Sequence, residues 1–182
     1  MTRETRLTGV ERFFDYDDII VSKTDLKGKI VYCNDIFLSI SGYTESECLG
    51  QPHSMIRHPD MPRCVFHLLW QSIQSGEEIF AYVVNRCKNG DHYWVCAHVT
   101  PSFDESGKII SYHSNRRVAD PEIVRTVFTP LYQELKVAED SCSNRKDGLI
   151  RSTKMLNDHL AKLGLGYNEW ILTPQNNKEK AA

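Results

Sequence analysis

At 182 residues, with 41% hydrophobic and 10% aromatic content, the chain can pack one domain with appendages more comfortably than two full domains. A formal net charge of −2 gives no electrostatic reason to expect nucleic acid or an anionic membrane as partner. No apolar run opens the chain as a signal peptide would, and none reaches the ~18 residues of a membrane span, which predicts a cytoplasmic protein without direct membrane insertion.

Residues 1–17 are charged and carry Phe13, Phe14 and Tyr16, and are expected to be a flexible leader with a short amphipathic turn on the core. Residues 18–24 and 29–33 read as two strands joined by the turn Asp25-Leu26-Lys27-Gly28. Asn34 or Asp35 can cap a short helix through Ile40, stopped at Gly42. Thr44 and Glu47 form a capping box for one further turn.

Three prolines, two histidines, an arginine and an aspartate then fall within Gln51–Pro62. Proline fixes φ and pushes the preceding residue out of the helical region, so this segment is an irregular, stiffened loop. Its residues fit either the wall of a ligand pocket or a surface loop in which Arg57 and Asp60 pair. Residues 63–75 follow as a longer helix ended by Gly76. Val65, Phe66, Leu69, Trp70 and Ile73 recur on one face, which suits plain core as well as a cofactor contact.

The next block is β. A strand over 79–87 leads into the Asn89-Gly90 hairpin signal, and a second strand covers 92–100, with Pro101 marking its end or an edge. A turn at Asp104-Glu105-Ser106-Gly107 precedes the last strand, 108–118. The order predicts an α+β fold: a five-stranded antiparallel sheet with short helices over one face, residues 18–119, and a hollow able to hold a ligand.

Asp120-Pro121 opens a further helix, whose apolar Ile123, Val124 and Val127 precede a break or kink at Pro130. A second amphipathic run carries Leu149, Ile150, Thr153, Leu156, Leu160 and Leu163 and ends at Gly164. These C-terminal helices, within 120–182, either pack on their own domain or a second copy, or dock a separate transducer. The polar end from Gln175 is expected to be disordered. Six cysteines without CxxC spacing are expected to be reduced. Cys64 and His67 lack a second pair at fitting distance, so zinc is not expected. No nucleophile–base arrangement points to an enzyme.

The run Asp25-Leu26-x-Gly28-x-Ile30-x-Tyr32-x-Asn34-x-x-Phe37-x-x-x-Ser41-Gly42-Tyr43 is similar to the opening of PAS sensor domains. Asn85-Arg86-x-Lys88-Asn89-Gly90-Asp91-x-Tyr93-Trp94-Val95 is similar to the PAS hairpin. The stretch Gly50-Gln51-Pro52-His53-x-x-x-Arg57-His58-Pro59-Asp60-Met61-Pro62, with Trp70 beyond it, resembles the FAD-binding PAS domain of aerotaxis receptors. The resemblance implies non-covalently bound FAD that senses redox state and signals to a chemoreceptor or another signalling protein, with a homodimer possible. It places Arg57, His58 and Asp60 at FAD-binding positions, and Asn34, His53, Trp70 and Asn85 next in line for the pocket.

Cys87 and Cys96 depart from that pattern, where larger basic residues are expected, and so does His98, which can either contact the ring or be structural. Such receptors continue into a membrane anchor and a signalling domain, which this sequence does not contain. Two alternatives stay open: a haem-binding gas sensor using His67, and a ligand-free interaction module. A light sensor that forms a cysteine–flavin adduct is disfavoured, because the proline loop has no cysteine.

Overall fold

The computed structural model describes residues 6–173. Its centre is an antiparallel sheet of β1 (Ile20–Thr24), β2 (Ile30–Cys33), β3 (Ile79–Arg86), β4 (His92–Phe103) and β5 (Ile109–Val118). The spatial order is β2-β1-β5-β4-β3, which leaves β2 and β3 at the two edges. Strand β4 is long: Val95 to Val99 pair with both neighbours, whereas Pro101 pairs only with Tyr112 of β5. A residue without an amide donor is tolerated there, because no second strand asks for its hydrogen.

Side chains alternate across the sheet and divide it into two faces. Ser22, Val83, Asn85, Ala97, Val99, Ser114 and Arg116 face a hollow beneath the short helices. These helices are α1 (Asp35–Ser41), α2 (Glu45–Cys48) and α3 (Arg63–Gln74). Within α3, Val65 and Ile73 are buried in the core, while Phe66, Leu69 and Trp70 are half-buried and line the hollow. The apolar face read from the sequence therefore serves both purposes.

The opposite face carries Phe80, Tyr82, Trp94 and His98, and is covered by the C-terminal helices. The first begins with α4 (Pro121–Ile123), capped by Asp120, passes through a π-helical turn at Val124–Phe128 and continues as α5 (Thr129–Asp140). The expected break at Pro130 does not occur. Thr129 N–H reaches back five residues to the Val124 carbonyl, and Pro130 falls in the first turn of α5, where its missing donor is not required. Phe128 stacks on Tyr82 at 4.1 Å, and the Tyr132 hydroxyl donates to the Tyr82 carbonyl at 2.7 Å.

Helix α6 (Arg145–Leu163) ends at a left-handed Gly164 and buries Leu156 and Leu160. It packs against α5 and α3, so its apolar stripe is covered by its own chain. A short α7 (Tyr167–Leu172) seats Trp170 against Phe128, and its Asn168 bonds Phe80 N–H and the Glu78 carbonyl at the edge strand β3. Sequence reading missed α7, since six residues are too few to show a helical period.

The leader forms no amphipathic turn in the described residues. Residues 8–12 run extended beside the β3–β4 hairpin, with hydrogen bonds among Thr8, Val10, Arg12, Gly90 and His92. Phe14 packs on the core, whereas Phe13 and Tyr16 are exposed. The expected disorder after Gln175 lies outside the described residues. All six cysteines are free thiols. Among the described residues no helix is long and apolar enough to cross a membrane.

Candidate ligand cavity

The hollow is a cavity of about 440 Å³ bounded by the inner sheet face, α3 and the proline loop. The loop is held at both ends by the edge strands. On one side Ile30 N–H donates to Gln51 O (2.8 Å) and His53 N–H to Gly28 O (2.9 Å); on the other Arg57 bridges Asn85 of β3. Between extended Pro52 and Arg57 the segment makes one 3₁₀ turn, His53–Ile56, and no α-helix, and it lines one side of the cavity. Arg57 and Asn85 are brought together by that backbone pairing.

Trp70 lines the cavity and meets Tyr112 edge-on at 5.6 Å. Its ring lies against Gly28, where a Cβ would come within 3.0 Å of it. Gly28 also has φ +76°, so the turn requires glycine for conformation and for the indole's space.

The inner end holds an unusual cation. Arg116 on β5 is 3% exposed and has no carboxylate partner. One of its nitrogens, Nη2, donates to Ser22 Oγ (2.7 Å) and to His53 Nε2 (2.6 Å). A guanidinium can only donate, so His53 Nε2 accepts and the ring is neutral with its proton on Nδ1. Burial, with the Arg116 charge added, pushes the His53 pKa down to about 3. Burial also pushes Arg116 down to about 10, opposed by Tyr93, which leaves it charged at neutral pH. Its second nitrogen, Nη1, is buried and bonds nothing, as does Asn85 Nδ2, on a residue 3% exposed.

Five cationic side chains line the cavity: Lys27, Arg57, Arg63, Arg116 and Arg145. No aspartate or glutamate is among the lining residues. In a chain of net charge −2 this is a local excess of positive charge, suited to an anionic ligand with a flat apolar part.

Of the residues expected from the sequence, the cavity collects His53, Arg57, Trp70 and Asn85. The other four stand elsewhere. His58 lies in an adjoining basic pocket, lined also by Arg6, Ser54, Arg57 and Arg86. Asp60 is 77% exposed; its backbone N–H donates to His58 Nδ1 (3.2 Å) and its carboxylate lies 3.5 Å from the same nitrogen. Asn34 is consumed in structure, since it caps α1 at Phe37 N–H, accepts from Val21 N–H and donates to Ile19 O. His98 projects from the opposite sheet face, where it stacks on Phe80 at 4.2 Å and bonds Glu78 at 2.7 Å.

The departures noted in the sequence are also resolved. Cys87 is buried, with its thiol on the Ile40 carbonyl, and Cys96 lies on the outer face. The buried cation comes instead from Arg116. Sequence reading missed it because Tyr112 to Arg117 is polar at nearly every position, and alternation alone does not say whether Arg116 or Arg117 points inward.

The PAS fold family matches residues 30–116. The aerotaxis receptor of Escherichia coli (strain K12) is 44% identical over 135 residues, 74% of this chain and 26% of that receptor. The nitrogen fixation regulatory protein of Klebsiella pneumoniae is 24% identical over 99 residues, 54% of this chain and 20% of that protein. The chain thus spans about a quarter or less of the length of these relatives. Among solved structures, the light-state blue-light photoreceptor Aureochrome1 LOV aligns with a TM-score of 0.56 at 19% identity, over 61% of this chain and 89% of that one. The LOV domain of the Erythrobacter litoralis EL346 blue-light activated histidine kinase aligns at 0.50 and 18% identity, over 54% of this chain and 93% of that one. At such identities these structures speak for the fold alone. Sequence match and sheet topology agree: residues 30–116 match the PAS fold, in a chain that resembles the aerotaxis receptor.

Proposed function

We propose that this PAS domain binds FAD in the cavity and reports the flavin's redox state to a separate signalling protein, such as a chemoreceptor. The observation that carries the reading is the buried Arg116, charged, without a carboxylate, and with Nη1 unpaired beside a cavity whose charged lining residues are all cations. Burying such a group is costly unless something anionic or strongly accepting meets it. Trp70 and Tyr112 offer aromatic surface to a planar ring, and the unpaired Asn85 amide offers a donor to its polar edge.

The adjoining basic pocket shares Arg57 and Ser54 with the cavity. That second anion-accepting space favours a dinucleotide over a mononucleotide, and gives His58, oriented by Asp60, a place in binding. A bound flavin supplies reversible electron uptake; the residues of the chain hold it, exclude water and present positive charge to it. No cysteine lines the cavity, so a thiol adduct has no donor there. Similarity to an aerotaxis receptor supports a sensory role over a catalytic one.

Arg116 is also placed for output. It lies two residues before the end of β5, and Asp120, just beyond, caps the helix that covers the outer sheet face. A redox change that alters how Arg116 is satisfied therefore has a short path to the C-terminal helices, provided the two states differ in interaction energy.

A second reading has one observation in its favour: His67 lines the cavity and is a possible haem ligand. The visible spectrum of gently purified protein separates the two. Two broad bands in the near-ultraviolet and blue, with FAD identified after release, are expected; a single intense sharp band, or FMN alone, would overturn the FAD reading.

A further inference from the structure

Three guanidiniums meet at the cavity: Arg57 from the proline loop, Arg63 from the first turn of α3, and Arg145, the first residue of α6. Only Arg63 is matched. Its Nε donates to Glu139 Oε2 (3.0 Å), and Glu139, 1% exposed, also accepts from Arg63 N–H (2.7 Å), Cys64 N–H (3.1 Å) and Ser152 Oγ (2.9 Å). Pro62 brings no side-chain cap to α3, so a carboxylate 76 residues away caps it instead.

Arg57 has no such partner. It donates to the Met61 carbonyl (3.2 Å) and lies over the Phe66 ring (4.1 Å), neither of which is an anion. Burial pushes its pKa down first; Glu139 opposes this, and the like charges of Arg145 and Arg63 reinforce it. Arg145 is exposed and, with Lys146, opens a helix, where the macrodipole disfavours cations.

The position of Arg145 is nevertheless fixed. Gly148, within the same first turn, is buried so tightly that a methyl group there would collide with the Glu139 carbonyl and come within 2.9 Å of Arg63 Nη2. Ser152 adds its hydrogen bond one turn later. The first two turns of α6 are thus locked to the start of α3, and Arg145 is held at the cavity in spite of its charged neighbours.

We infer that Arg145 is a ligand-binding residue: with Arg57 and Arg63 it forms the site for the phosphate groups of a ligand whose ring occupies the cavity. The helical hairpin of α5 and α6 is then part of the binding site, beyond the residues matched to the PAS fold. Ligand binding and hairpin docking become coupled, each strengthening the other by the same factor. The inference rests on the flavin reading given above.

The test compares FAD with riboflavin, which has the ring and no phosphate, on the full chain freed of cofactor. Arg145→Gln is expected to weaken FAD about tenfold, the worth of one charge-assisted hydrogen bond, and to leave riboflavin within about twofold. Arg145→Lys is expected to recover part of the FAD affinity. Because Arg145 is exposed, neither change endangers the fold. Equal losses for both flavins, or no loss for either, would overturn the role of Arg145 while the flavin reading stands. A wild-type chain that binds neither flavin would overturn the flavin reading, and this inference with it.

Discussion

Replacing Arg116 by methionine is expected to lower FAD affinity by at least about 30-fold while leaving the cofactor-free domain as stable as before, or more so. Truncating a desolvated charge that faces a ligand group costs about 2–5 kcal/mol of binding. In the empty domain the same guanidinium has no counter-ion and one unpaired nitrogen, so an apolar chain of similar length removes a desolvation cost. His53 does not become orphaned, since the Ser22 hydroxyl already lies 3.2 Å from its Nε2 and can donate there. Equilibrium dialysis and urea unfolding measure the two effects separately. A variant that loses stability and affinity together would mean that Arg116 is only a structural residue.

The second large effect concerns acid. His53 titrates far lower in the fold than its usual 6.5, so the fold favours its neutral form. The stability this contributes is complete above about pH 6.5 and is lost as pH falls towards about 3, because the unfolded chain takes up the proton first. At about 1.4 kcal/mol per pH unit, the loss between pH 6.5 and 4.5 is about 2 kcal/mol for this residue alone. Protonation would also place two cations at hydrogen-bonding distance.

His58 and His159, both lowered by burial, act in the same direction. Glu47, Asp91 and Asp104, whose pKa values are lowered by hydrogen bonds, lose their contributions only at more acid pH. The comparison of wild type with His53→Gln in urea, restricted to pH 4.5–7, therefore isolates His53. The variant is expected to show a shallower fall; parallel curves would mean that folding leaves the His53 pKa unchanged.

Most of the frame could be read from the chain, because its signals are local. Asn34 and Gly42 do delimit α1, the Asn89-Gly90 turn does join β3 to β4, and Gly164 does end α6. The cavity was only half legible. His53, Arg57, Trp70 and Asn85 were found through the proline loop and hairpin motifs, and the cavity does bring them together. The rest depends on contacts between residues far apart in the chain. Arg116 reaches His53 across 63 positions, and Glu139 reaches Arg63 across 76. No periodicity or spacing records such pairings.

Asn34 shows the converse. A motif residue can hold its place because three backbone partners need it, without touching the cavity. The amphipathic stripe of α6 was equally ambiguous in sequence, since an apolar face looks the same whether its cover is the same chain or a partner. Here Leu156 and Leu160 are buried, and only Ile150 of that stripe is largely exposed.

The most direct measurement is a crystal structure of the full chain reconstituted with FAD. Flavin binding at the buried cation predicts the ring in the cavity beside Trp70, with an acceptor atom about 3 Å from Arg116 Nη1. Flavin seated elsewhere, or Arg116 Nη1 satisfied by protein or water with the ring out of reach, would contradict it.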